Sequence, residues 1–175
     1  MAVLPIRMFG DPVLRQRAPE ITKIDEATRR LAADMIDTMR EARGAGLAGP
    51  QVGVMQRIFV WEVGDRHGVV VNPRIVRRSD ETFTDEEGCL SIPGLYYPVE
   101  RSYEVTVEGL DLNGDEMSLT GRELLARCLQ HEIDHLDGVL FIDRLPGDLR
   151  RDAMRMLREQ SLGLASFNPS AGEPL

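Results

Sequence analysis

The chain has 175 residues, enough for one domain with its own core and no need of disulfides or a structural metal. With 42% hydrophobic and 29% charged residues it has globular rather than disordered composition, and a formal charge of −8 argues against a nucleic-acid partner. Two cysteines, Cys89 and Cys128, are too few for a disulfide scaffold, and the first ten residues hold no apolar run of signal or membrane-span length, so a cytoplasmic protein with no membrane partner is expected.

Asp25 to Ala42 reads as the first helix, capped by Asp25, with Ala27, Leu31, Met35, Met39 and Ala42 recurring on one face. Gly44 is the expected stop, and a glycine-rich segment, GAGLAGPQVG, runs from Gly44 to Gly53. Extended runs follow at Arg57 to Val63, Gly68 to Val71, Arg74 to Arg77, Tyr103 to Glu108 and Glu116 to Leu119. Asn72-Pro73, Pro93-Gly94 and the hairpin signal Asn113-Gly114 separate them. A second helix is predicted from Thr120, where Thr120 and Glu123 have the spacing of a capping box, to a stop at Gly138. A third, capped by Asp148, is predicted to end near Gln160. Residues 1–161 are read as one catalytic domain and 162–175 as a mobile tail. Helix, many strands, helix is an α+β order, with mostly antiparallel β-sheets packed around a central α-helix and with N-terminal and C-terminal helices beside them.

The second helix carries His131-Glu132-Ile133-Asp134-His135, the pattern H-E-x-x-H. Four residues advance a helix by about 400° and about 6 Å, so both imidazoles leave one face a turn apart, where they can close on one ion. Glu132 then lies beside that ion's water, able to take its proton. A third ligand is needed. Cys128 and His135 are separated by about 10.5 Å of helix rise, too far for a metal–sulfur bond of about 2.3 Å, so Cys128 reads as a wall of the site, with Leu124 a turn earlier. His67 reads as a surface residue. Phe141 stands where a metzincin peptidase has its third histidine. Glu159, as in thermolysin-like peptidases, and Cys89, in the loop Glu87-Gly88-Cys89-Leu90-Ser91, both remain open by spacing.

Gly44 to Gly49 satisfies the dinucleotide pattern G-x-G-x-x-G, but it follows a helix and leads towards strand-like residues, the reverse of what pyrophosphate binding needs. No nucleotide is therefore expected. Glycines here instead let an extended ligand approach the backbone, and Gln51 offers an amide that can donate to an oxyanion.

GAGLAGPQVG, EGCLSIPG and QHEIDHLDG occur in this order, and together they closely resemble the three motifs of peptide deformylase. The first family motif is matched from Gly44 to Gln51 except that Gly49 replaces an alanine. The second is matched without change from Glu87 to Ser91, and the third from Gln130 to Gly138. The resemblance implies a hydrolase that removes the formyl group from N-formylmethionyl nascent chains and releases formate. It implies Cys89, His131 and His135 as metal ligands, Glu132 as catalytic carboxylate, and Gln51 with the Leu90 N–H as oxyanion donors. It implies ferrous iron as the divalent ion, with zinc or nickel as substitutes. Substrate backbone is expected beside Ala45, Gly46 and Gly88, and an apolar slot for the methionine side chain beside Leu124 and Cys128. Thiolate and ferrous iron are both oxidisable, so loss of activity in air is expected.

Two other readings have less support: a zincin-type endopeptidase using Glu159, and a non-catalytic binding protein on the same fold. Glu87 and Arg101 are expected to pair and hold the Cys89 loop. Arg150, Arg151, Arg155 and Arg158 on the last helix allow either a transient ribosome contact or a solvated face, and the second accounts for them more simply.

Overall fold

The structure, a computed structural model, describes residues 2–163. Of the expected tail, residues 164–175 lie outside them.

Helix α1 (Glu26–Glu41) begins as expected: Asp25 Oδ1 accepts the Thr28 N–H at 3.1 Å, and the Asp25 N–H reaches Thr28 Oγ1 at 3.4 Å. Its buried face is Thr28, Ala32, Met35, Thr38 and Met39, turned from the expected stripe so that Ala27 is exposed. The helix ends with Arg43, not Gly44, in the left-handed region (φ 58°), while the Gly44 N–H bonds the Met39 carbonyl at 2.9 Å.

Seven strands follow: β1 (Gly46–Ala48), β2 (Ile58–Val63), β3 (Arg66–Arg78), β4 (Thr82–Cys89), β5 (Ile92–Ser102), β6 (Glu104–Leu110) and β7 (Glu116–Arg122). They form an antiparallel five-stranded sheet in the order β1-β2-β3-β6-β7 and a two-stranded ribbon, β4-β5. The Asn113-Gly114 turn joins β6 to β7, with Gly114 at φ 83°. Asn72-Pro73 does not break the chain: the two runs expected on either side are one strand, β3, with a bulge where Asn72 takes φ 51°. The Asn72 amide brackets the Ile21 backbone, accepting its N–H at 2.8 Å and donating to its carbonyl at 2.9 Å. Pro93-Gly94 likewise lies inside β5, which with the acidic strand β4 has too little apolar alternation to read as sheet from sequence.

Helix α2 (Leu124–Leu136) is the centre, with every residue from Leu125 to Leu136 buried. It does not begin at Thr120. β7 runs on to Arg122, Thr120 pairs with Thr106 across the sheet (Oγ1 to Oγ1 2.9 Å), and Glu123 turns the chain at φ 54°, so the capping box does not form. Cross-strand pairing has won over the local cap. Helix α3 (Gly147–Ser161) starts after Pro146, which takes the cap position expected of Asp148.

Strand alternation divides the core. Phe59 and Trp61 of β2 face α2 with Val70, Val105 and Val107, whereas Ile58 and Val60 face Met35 and Met39 of α1 on the other side of the sheet. A third cluster joins the β4-β5 ribbon to α3 through Ile92, Tyr97, Val99, Phe141, Ala153 and Leu157. Cys89 belongs to this third cluster, so the ribbon carries its thiol to the wall of α2.

Candidate active site

One turn of α2 sets His131 Nε2 and His135 Nε2 3.1 Å apart, and Cys89 Sγ lies 3.3 Å from His135 Nε2. All three side chains are buried, and their donor atoms lie within 4.8 Å of one another. Bond lengths of about 2.0–2.3 Å to one tetrahedral ion require donor atoms about 3.3–3.8 Å apart, so the residues fit a metal. Two imidazoles with a thiolate are a donor set suited to zinc, iron or nickel. Cys128 stays outside the group. Burial, with the nearby charges of Glu132 and Glu87, pushes its thiol up, and the neutral S–H points at the Ala45 carbonyl at 3.4 Å.

Behind the cluster is a buried charge network. His131 Nδ1 lies 2.8 Å from Glu87 Oε2, and Arg101 donates to Glu87 Oε1 at 3.0 Å and Oε2 at 2.6 Å. Burial opposes its charge, but the hydrogen bonds from His131 and Arg101 hold Glu87 well below the usual carboxylate range. An ionised Glu87 can only accept, so the hydrogen sits on His131 Nδ1 and the Nε2 lone pair faces Cys89 and His135. The expected Glu87–Arg101 pair is therefore present and buried. Sequence reasoning missed Arg127, which donates to Glu87 Oε1 at 2.9 Å, and Asp134, which accepts from Arg101 at 2.7 Å and from Arg144 at 2.8 Å. The available signal was an arginine and an aspartate one turn from the histidines of the H-E-x-x-H helix.

Glu132 projects towards β1. It is fully buried, and neither carboxylate oxygen has a partner among the described residues. Burial raises it to about 7, with the charge of Glu87 adding to the shift. A Cβ on Gly46 would lie 2.5 Å from Glu132 Oε1, so only glycine leaves the carboxylate its place. Gly44 is close against Leu90 and Gly88 against Tyr96, where added Cβ atoms would meet side-chain carbons at 2.6 and 2.5 Å.

Gln51 is buried and held at both ends: its Oε1 accepts the Ala48 N–H at 2.9 Å, and its Nε2 donates to Ser91 Oγ at 3.1 Å and faces Cys89 Sγ at 3.7 Å. Ser91, in the second motif, was not singled out from sequence, yet it orients this amide. Leu90 is buried between Cys89 and Ser91. Leu124 lies 50% exposed at the start of α2. His67 is exposed on β3, as expected. Glu159 is spent on Arg155 at 3.3 Å, on α3, and is no part of the Cys–His–His group, which removes the peptidase reading's third ligand.

The polypeptide deformylase family pattern matches residues 3–151. The peptide deformylase of Acidothermus cellulolyticus is 52% identical over 159 residues, 91% of this chain and 88% of that one. The crystal structure of the Thermus thermophilus peptide deformylase superposes with a TM-score of 0.87 at 44% identity, covering 93% of this chain and 97% of that one. That of the Ehrlichia chaffeensis enzyme in complex with actinonin gives 0.87 at 38% identity, covering 91% and 98%. The chain belongs to the peptide deformylase family.

Proposed function

We propose a division of labour for the site in a chain whose family hydrolyses the N-formyl group of nascent polypeptides and releases formate. The observation that carries it is the unpartnered buried carboxylate of Glu132 beside the Cys89, His131 and His135 donors. Those three residues hold one divalent ion, with ferrous iron as the resident metal and zinc or nickel as substitutes; the soft sulfur and two imidazoles suit all three. When bound, such an ion polarises the formyl carbonyl and lowers the pKa of water from 15.7 to about 7. Glu132, raised by burial, takes the proton of the attacking water and returns it to the leaving amine. Gln51 Nε2 and the Leu90 N–H donate to the oxyanion, each such donor being worth about 3 kcal/mol.

Substrate backbone lies beside Ala45, Gly46 and Gly88, with Gly46 at the start of β1 and Gly88 at the end of β4. The methionine side chain enters between Cys128 and Leu124. Actinonin, bound by the Ehrlichia relative, is expected to compete for this cleft. Residues 1–161 act as a single catalytic domain, in the cytoplasm where nascent chains are made; no helix of the described residues is long and apolar enough to cross a membrane. A ribosome contact through α3 has less support, because Arg150 and Arg155 already face Asp143, Asp152 and Glu159, as on a solvated face.

The Cys89→Ala variant tests the ligand assignment. It should purify folded, with less than a tenth of the wild-type metal content, and should lose activity with it. A fully loaded, active variant would refute Cys89 as a ligand.

A further inference from the structure

Arg127 is the largest fully buried side chain among the described residues, and the proton-transfer scheme does not use it. It stands four residues before His131 on α2, so both side chains leave the same face of the helix one turn apart. Its guanidinium crosses to the β4-β5 ribbon. Nη1 donates to Glu87 Oε1 at 2.9 Å and to the Val99 carbonyl at 2.8 Å, Nη2 reaches the Phe83 carbonyl at 3.4 Å, and the group lies over the Phe83 ring at 4.6 Å. Glu87 thus meets Arg127 and Arg101 at Oε1, and Arg101 and His131 at Oε2.

We propose that Arg127 is a positioning residue for the metal centre: it locks Glu87 in the rotamer that orients His131, and it fixes the ribbon bearing Cys89 against the helix bearing the two histidines. A carboxylate held by Arg101 alone could pivot about that pair. With a second guanidinium on Oε1, arriving from the same helix as His131, that pivot is blocked. Oε2 then stays aimed at His131 Nδ1, and the spacing between thiol and imidazoles is set by one side chain reaching both backbone and carboxylate. The inference rests on reading Cys89, His131 and His135 as a metal site.

The test is zinc affinity of the full chain, measured by competition with a chromophoric chelator of known affinity, together with the melting temperature and the thiolate-to-cobalt absorption band of the cobalt form. Arg127→Met should fold, weaken zinc binding by about tenfold or more, and shift or weaken the cobalt band. Arg127→Lys, which keeps a cation on Glu87, should recover most of the affinity. If the methionine variant does not fold, Arg127→Gln carries the same comparison, since its shorter, polar side chain also leaves Glu87 without its second cation. A variant that melts lower but binds zinc within twofold of wild type would reduce Arg127 to packing and overturn the proposal. Wild type that binds no zinc would instead overturn the metal reading itself.

Discussion

Gly46 and Glu132 depend on one another. The carboxylate occupies the space a Cβ on Gly46 would need, and β1 keeps its backbone close to α2 only because that residue is bare. Gly46→Ala is therefore expected to move Glu132 and cut kcat by about a hundredfold, the low end for a displaced general base, with zinc content unchanged. Steady-state kinetics and metal analysis on one preparation check this. Gly49, where the family has alanine, behaves differently. A Cβ there would lie 2.6 Å from the Gln56 carbonyl and 2.8 Å from that of Val54, so the backbone as folded leaves no room for one. Gln51 keeps its anchors on Ala48 and Ser91 regardless. Gly49→Ala should cost about 1–3 kcal/mol by overpacking, read from denaturant midpoints. Leu124 should govern access for the methionine side chain, so Leu124→Trp is expected to raise KM for formyl-Met peptides several-fold. An unchanged KM would remove it from the slot.

The elements show where local signals were sufficient and where they were overruled. Asp25 caps α1 as its position before an amphipathic run suggests, and its carboxyl is held below the ordinary 3.8 chiefly by the Thr28 backbone N–H. A depressed carboxylate contributes stability above its unfolded pKa and loses it as pH falls through the folded value. The melting difference between wild type and Asp25→Ala should therefore be full at pH 7 and shrink below about pH 4. A difference that persists at pH 2 would show that the cap does not act through its charge. At the other end, Arg43 sits exposed at φ 58°, a conformation that costs a non-glycine residue about 1–2 kcal/mol. Arg43→Gly should raise the melting temperature, by less than that cost implies because glycine also loosens the unfolded chain. The start of α2 was illegible for the opposite reason. Thr120 and Glu123 have a capping box's spacing, but Thr120 is committed to its cross-strand partner Thr106. Strands β4 and β5 were hidden because Thr82 to Glu86 is polar but for Phe83 and largely exposed. Their pairing becomes visible only when Tyr97, Val99 and Arg101 are seen to turn inward together.

Across the whole molecule, the donors come from two separate pieces of structure, a ribbon and a helix, and the three motifs are what made them readable before any fold was known. His131, Glu132 and His135 follow from helical periodicity alone, whereas Cys89 was one of two candidates by spacing and is set apart from Glu159 by where β4 ends. The charge network of Arg127, Asp134 and Arg144 could not be read in advance, because it depends on which faces of α2 meet the ribbon. An ion bound across ribbon and helix stabilises the folded form by mass action. Removing it with a chelator should lower the melting temperature by several degrees, and adding zinc back should restore it; a melting curve indifferent to chelator would mean that the three donors hold no metal in solution.

The most direct test of the account is formate release from formyl-Met-Ala-Ser by protein purified without oxygen, with Glu132→Ala as control. Wild type should turn the peptide over, and the variant should lose at least a hundredfold at equal metal content. Wild type that carries one metal and releases no formate, or a variant that releases it at the wild-type rate, would contradict it.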